Sequence, residues 1–326
     1  MNVERDDPCR KVRERCPIVR TNGISEYAET VDVLSDAVAA MRIGRPHSSR
    51  TELRAPWGIR FPAQRGAGFH VVLQGACWLI PTRGDPIRLV VGDVAFIPRE
   101  LGHAIADSLD TPLRDQNDAN IPTIGDPTTV LLCGAYLLDQ SRMHPLLAEL
   151  PEVVHLPARV GRHPTLRGAI DLLGRELDAD PLPGAPGVLP PLLEVLLLYI
   201  LRAWHEDRST HDDTGWAVAL RDPDLAPALQ AMHHDPASPW TVRDLAELAG
   251  LSRSAFAQRF TATLGIPPQT YLTWWRMTLA ARLLREADLP LRTVATRVGY
   301  VSEYAFAKAF KREFGTAPGR YRSAAG

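Results

Sequence analysis

Two groups of residues in this chain of 326 could do chemistry. The first holds soft, titratable side chains: His70, His103, Cys9, Cys16, Cys77 and Cys133. Imidazoles and thiolates bind metals, and thiols undergo redox exchange. Two histidines alone fall short of the three or four ligands that a stable metal site uses. The expectation is therefore satisfied pocket or core histidines, with no metal or cofactor. The cysteines form no C-x-x-C pair, and free thiols are the default in a reducing cytoplasm. Cys77 and Cys133 fall in apolar, strand-like runs and read as buried hydrophobes. Cys9 sits between Pro8 and Arg10, and Cys16 follows Arg15. Neighbouring cations lower a thiol pKa, so a redox switch at one of the four stays open.

The second group is hydrogen-bonding. Gln258 suits adenine N6/N7 and Lys308 suits guanine O6/N7. These two residues occupy matching places in an internal repeat. One copy reads Ala246, Gly250, Ser252, Phe256, Phe260, Gly265, Pro268, Tyr271, and the other Ala295, Gly299, Ser302, Phe306, Phe310, Gly315, Pro318, Tyr321. The offset is 49 up to the glycine and 50 from the serine onward, so the second copy carries one extra residue.

Each copy predicts helix, tight turn, helix. Val242, Leu245 and Leu248 lie at helical spacing, Gly250 ends that helix, and Ser252 caps the next. Phe256, Phe260 and Leu264 then stripe one face, and Gly265 closes it. Val294, Ala295 and Val298 lead to Gly299 in the second copy, with Phe306, Phe310 and Phe314 as the stripe. Two short helices about a glycine turn match a helix-turn-helix, against the alternative of a generic helical hairpin. A helix-like segment, Gln269 to Glu286, joins the copies.

With the phenylalanines inward, Ser254, Ala257, Gln258 and Thr261 face outward from the first copy, and Tyr304, Ala307, Lys308 and Lys311 from the second. Arg253, Arg259, Lys311, Arg312, Arg320 and Arg322 read as phosphate or ion-pair residues, which position without specifying. Charge agrees. Residues 216–326 hold 14 Arg plus Lys against 9 Asp plus Glu, or +5, whereas the whole chain is −1, leaving −6 on residues 1–215. A cationic module suits a phosphate backbone.

The stretches W-T-V-R-D-L-A-E-L-A-G-L-S-R-S-A-F-A-Q-R-F, R-M-T-L-A-A-R-L-L and V-A-T-R-V-G-Y-V-S-E-Y-A-F-A-K-A-F-K-R-E-F-G-T-A-P-G-R-Y-R resemble the DNA-binding domain of AraC/XylS transcription regulators. The resemblance implies two helix-turn-helix units on a linker helix, each placing a recognition helix in the major groove of double-stranded promoter DNA. It implies base readers at Ser254, Ala257 and Gln258, and at Tyr304 and Lys308. RNA polymerase follows as an expected partner, and activation as the expected sense.

Upstream, Phe69–Leu73, Cys77–Ile80, Ile87–Val91, Val94–Ile97 and Val130–Leu138 are short apolar runs punctuated by Gly75, Gly84-Asp85-Pro86 and Gly92-Asp93, a β-sandwich or barrel signature. F-H-V-V-L-Q-G-A-C-W-L and G-D-V-A-F-I-P-R-E-L-G-H resemble the two halves of a cupin motif. That resemblance implies an enclosed sensor pocket with His70, His103 and Trp78 as candidate lining, and His103 pointing inward. The H-x-H pair of metallocupins is absent, since Val72 follows His70 by two, and no glutamate lies between His70 and Glu100. The same gap argues against a cupin dioxygenase.

Glu29 to Met41 and Leu166 to Leu177 predict helices. Asp180 to Pro191 reads as a Pro/Gly-rich break, and Leu192 to Trp204 as a helix apolar nearly all round, which calls for burial on more than one side: packing on the barrel plus a homodimer interface is expected, with packing wholly within the chain as the alternative. No apolar run reaches the ~18–20 residues of a membrane span, and 1–15 has no hydrophobic signal region. A cytoplasmic protein with no membrane partner is expected.

The fold class expected is α+β: a cupin-like β-barrel or sandwich (28–140) after a disordered tail (1–27), a helical connector and linker (141–215), and an all-α domain with two helix-turn-helix motifs (216–326; units at about 241–265 and 291–315). The function expected is a sequence-specific transcription regulator whose cupin-like half senses a small effector or redox state. A cupin enzyme with an appended DNA module, and a constitutive DNA-binding protein on a scaffold barrel, are the alternatives.

Overall fold

Strand alternation builds the N-terminal half. The computed structural model describes residues 32–325 apart from 65, 100, 117, 119–125, 140–142, 179–182 and 209–214. The expected tail and its Cys9 and Cys16 lie outside the described residues. Helix α1 (Val33–Met41) opens at Asp32, whose carboxylate accepts the Leu34 N–H at 3.2 Å. Ten strands follow: β1 (His47–Leu53), β2 (Gly58–Phe61), β3 (Ala67–Gln74), β4 (Ala76–Pro81), β5 (Ile87–Val90), β6 (Val94–Ile97), β7 (His103–Ala106), β8 (Arg114–Asp115), β9 (Thr129–Tyr136) and β10 (Val154–Leu156). They form two five-stranded sheets, ordered β1-β9-β3-β6-β10 and β5-β4-β7-β2-β8. Leu53, Val72, Ala95 and Leu131 of the first meet Ile59, Cys77, Leu79, Leu89 and Ile105 of the second in one apolar layer.

Each expected run overlaps an observed strand, but β1 and β10 lie outside the strand-rich stretch that the sequence marks. β1 is H-S-S-R-T-E-L, with one buried residue, Leu53, so it carries little apolar signal. β10 adds a strand within 141–215, where only helix was expected. Three residues are too few to show a period, and β10 is selected by pairing with β6 at the sheet edge. The buried Asp93 carboxylate reinforces that pairing. It accepts the Ala158 N–H at 2.8 Å and the Val90 N–H at 3.1 Å, and meets His155 Nε2 at 3.1 Å. Gly75 turns β3 into β4 at φ +76, where a Cβ would lie 2.1 Å from the Thr128 carbonyl oxygen.

Three helices follow on the outer face of the first sheet: α2 (Pro145–Ala148), α3 (Pro164–Glu176) and α4 (Ala185–Arg208). α4 runs through the expected break. Pro186 sits in its first turn, where a missing N–H matters least, whereas Pro190 and Pro191 lie inside the helix and are offset by the inward run Leu193, Leu196, Leu197, Ile200, Leu201, which is almost fully buried. By length and composition alone α4 suits a membrane. Its apolar side instead completes the core with Phe69, Val71, Phe96 and Leu132 of the first sheet.

The C-terminal half is helical: α5 (Trp216–Ala219), α6 (Leu225–His234), α7 (Val242–Leu248), α8 (Arg253–Leu264), α9 (Pro268–Glu286), α10 (Leu291–Arg297), α11 (Glu303–Phe314) and α12 (Pro318–Ala325). The caps fall at the repeated residues. Ser252 accepts from the Ala255 N–H and Ser302 from the Ala305 N–H, while Gly265 and Gly315 end α8 and α11, both at φ 72. Thr241 and Asp244 form a capping box on α7. Phe256, Phe260, Phe306 and Phe310 are all fully buried.

The halves meet across a buried polar chain. The His144 Nδ1 accepts the Leu146 N–H at 3.1 Å, which places the ring proton on Nε2 and aims it at the Tyr271 oxygen, 3.2 Å away. The Tyr271 hydroxyl then donates to His233 Nε2 at 2.5 Å, and His233 Nδ1–H faces the Asp36 carboxylate at 3.3 Å. Beside it, Arg285 of α9 donates to Asp139 at 2.9 Å, to the Tyr321 hydroxyl at 2.7 Å and to the Ala40 carbonyl at 3.4 Å. The Trp216 N–H donates to Glu149 at 3.1 Å.

Burial holds these histidines neutral. It lowers His144 well below the ordinary 6.5, helped by His233, and it outweighs Asp36 in lowering His233. His205 falls to about 4 through burial and then Arg221 and Arg208. His103 falls to about 4 through burial. Between those values and 6.5 the unfolded chain binds more protons than the folded one. Stability is therefore intact above about pH 6.5 and declines toward pH 4, each such histidine contributing about 1.4 kcal/mol per pH unit. Urea midpoints will fall steadily from about pH 6.5 to about pH 4.5; a flat profile would contradict neutral burial.

Candidate nucleic-acid interface

The inward phenylalanines decide what α8 and α11 present. With Phe256 and Phe260 buried, α8 exposes Arg253, Ser254 and Gln258, and Ala257 is half-buried beside them. With Phe306 and Phe310 buried, α11 exposes Tyr304, Lys308 and Lys311, with Ala307 half-buried. Tyr304 is 79% exposed and Val301, in the turn before α11, is fully exposed. Reading the sequence by its helical stripe missed Val301, because it lies in the turn. Thr261 lies half-buried on the same face, its hydroxyl donating to the Ala257 carbonyl at 2.8 Å.

The six basic residues divide by partner. Arg259 is held by two carboxylates, Asp222 at 2.7 Å and Asp224 at 2.6 Å, which suits its ion-pair role over a phosphate role. Burial alone would raise the Asp222 carboxyl, but the hydrogen bonds from Arg259 and from the Asp224 and Leu225 N–H groups outweigh it and hold the carboxyl below its usual range. Arg312 pairs with Glu313 at 3.2 Å, and Arg322 with Asp288 at 3.3 Å and the Leu289 carbonyl. Among the described residues Arg253, Lys308, Lys311 and Arg320 have no ion pair, which leaves their charge available to an anion.

α9 carries both units. Its N-terminal end packs Tyr271 and Leu272 with Phe256 and Phe260, and its C-terminal end packs Met277, Ala280, Ala281 and Leu284 with Phe306 and Phe310. Gly299 (φ +79) lets α10 turn beside α9, where a Cβ would meet the Ala237 carbonyl at 2.8 Å and the Arg276 guanidinium.

Between the two sheets, His70 of β3 meets His103 of β7 with Nε2 to Nε2 at 2.6 Å. His70 Nδ1 lies 3.0 Å from the Cys133 sulfur, and Phe61 stacks on His103 with centroids 4.8 Å apart. Cys133 thus sits on the far nitrogen of His70, so the three groups form a chain and do not converge on one point. Among the described residues no set of three or more His, Cys, Asp or Glu is placed to hold a metal. Burial, then His103, lowers His70 well below 6.5. Trp78 corrects the expected pocket lining: Cys77 and Leu79 point inward, and alternation turns Trp78 to the opposite face of β4, half-exposed.

Burial also pushes both described thiols up to about 12, with Asp93 adding to Cys77 and Cys77 adding to Cys133. Protonated at neutral pH, neither is a ready nucleophile, which counts against these two as redox switches.

A family profile described as Cupin matches residues 32–206, and one described as Helix-turn-helix domain matches 245–324. A putative AraC-like transcription regulator of Streptomyces lividans is 35% identical over 90% of this chain and 98% of its own length. The HTH-type transcriptional regulator AlkR of Acinetobacter baylyi is 27% identical, over 90% of this chain and 99% of its own. The RCS-specific HTH-type transcriptional activator RclR of Escherichia coli is 31% identical, over 78% and 83%.

The two kinds of cation are separable by titration. Arg259→Ala will let the Asp222 carboxyl titrate at a higher pH, read by NMR, and will leave the salt dependence of DNA affinity unchanged. A reduced salt slope would instead make Arg259 a phosphate contact.

Proposed function

The chain belongs to the AraC-like transcription regulators, and from that footing we propose that it reads an asymmetric promoter site with two unequal recognition helices under the control of a small effector. It is a DNA-binding transcription regulator and not an enzyme. The observation that carries the proposal is the repeat folded on α9: the same phenylalanines inward, different polar residues outward. In this reading Ser254, Ala257 and Gln258 contact bases from α8, and Tyr304 and Lys308 from α11. Gln258 pairs with adenine and Lys308 with guanine. Arg253, Lys311 and Arg320 hold phosphates.

The cupin domain is the sensor. Tyr271 and Arg285 support the link, since each joins α9 to the N-terminal half by hydrogen bonds. An effector is favoured over thiol oxidation at Cys77 and Cys133, whose thiols are buried and protonated. Homodimerisation is supported by Leu172 on α3 and Val188 and Val195 on α4, apolar residues 38–53% exposed on adjoining helices. Activation through RNA polymerase, in the cytoplasm, completes the reading.

Footprinting on the DNA upstream of its own gene, followed by affinity measurements on that site and on random DNA, tests it. Lys308→Ala and Gln258→Ala should each cost about 1–3 kcal/mol on the preferred site and relax preference at one position. Arg320→Ala should weaken all sequences alike and reduce the salt slope by about 1. Unchanged preference in both base-reading variants would refute the assignment.

A further inference from the structure

A cavity of about 200 Å³ lies outside the barrel, between α1, the end of β9 and α4. Val38, Leu137, Leu197 and Leu198 make an apolar wall, and Arg42 and Glu194 stand at its rim. A dry apolar cavity of about 150 Å³ accepts benzene, so this one admits a small organic molecule. Its polar end is specific. Arg42 forms an ion pair with Glu194 through one guanidinium nitrogen, and among the described residues no other partner engages its remaining N–H groups. Glu194 is 44% exposed and Arg42 36%. An arriving carboxylate can take the guanidinium in a two-pronged contact while Glu194 turns into water, where it is already half solvated.

We propose that this cavity is the effector site, and that it takes a small, mainly hydrocarbon molecule carrying one carboxylate. The proposal rests on the reading of the N-terminal domain as a sensor. It differs from the place that the histidines suggest, because His70, His103 and Phe61 are in ring contact and leave no room for a guest between them.

Helix α1 supplies the coupling. Ser35, Val38, Ala39 and Arg42 face the cavity at i, i+3, i+4 and i+7. The neighbouring stripe faces the DNA-binding half: Asp36 meets His233, and the Ala40 carbonyl accepts from Arg285. Met41 sulfur accepts the His144 N–H at 3.0 Å. A guest that shifts α1 therefore acts on α6 and α9 directly, through the Asp36 side chain and the Ala40 carbonyl, each one position away from a residue it touches.

The full-length protein should be titrated calorimetrically with phenylacetate, hexanoate and octanoate, with octanol as the uncharged control. At least one carboxylate is expected to bind with Kd below about 1 mM, as about ten non-hydrogen atoms allow. It should change promoter affinity about fivefold or more. Ala39→Leu fills the cavity with a good helix former and should weaken binding at least about tenfold, with unliganded promoter affinity retained as the check on folding. Arg42→Gln should weaken the carboxylates about tenfold and leave octanol unchanged. The proposal is overturned if none of the carboxylates binds, or if binding is undiminished in Ala39→Leu. If a different small molecule alters promoter affinity equally in wild type and Ala39→Leu, the sensor reading stands and this cavity is not its site. If the carboxylates bind here without moving promoter affinity, the cavity is a binding site but not the effector site, and the proposal fails.

Discussion

The burial of Tyr271 is the constraint on which the rest depends. Its ring fills the core of the first helix-turn-helix, next to Phe260, while its hydroxyl is removed from water and must find partners. It finds them in His144 and His233, one from each half of the molecule. A single side chain thus satisfies an apolar demand within the DNA-binding domain and a polar demand across the junction. Neutral imidazoles are required, because a protonated His233 would present a second donor to the Tyr271 oxygen and leave the hydroxyl proton without an acceptor.

The repeat gains a second meaning from this geometry. Tyr321 matches Tyr271 in the other copy, and its hydroxyl also reaches the junction, through Arg285 to Asp139. Both copies therefore use the same aromatic position for packing and for attachment. The attachments differ in kind: the first is a buried chain of neutral groups, the second an ion pair whose side chains are 10% and 17% exposed. The cores differ too. The first unit shares a continuous apolar cluster with the cupin domain, and the second has its own.

Charge is arranged to match. Arg259 and Arg285 pair with carboxylates and lock helices in place, while Arg253, Lys308, Lys311 and Arg320 have no ion pair among the described residues and are left for an anion. Between the two sheets, imidazoles and thiols are held uncharged by desolvation.

Much of this was legible in one sequence. The two helix-turn-helix units could be read residue by residue, because caps, turn glycines and a four-residue phenylalanine stripe are local signals. The alternating runs from Phe69 to Leu138 marked a sheet-rich domain for the same reason. The polar edge strand β1, the three-residue β10 and the start of α4 at Ala185 were not legible, since pairing partners or packed neighbours select them. The outward residues of α8 and α11 followed from the stripe, but the sequence could not separate Arg259, spoken for by Asp222 and Asp224, from Arg320. Trp78 was misplaced because a motif match does not report which face of a strand a residue occupies. The sequence by itself determined the local elements and the kind of molecule they make. Only the tertiary structure decided which charges are already paired, that Asp36, His144, His233 and Tyr271 meet, and that α1 lies between a cavity and the DNA-binding half. Those are contacts between residues far apart in the chain, and no local spacing encodes them.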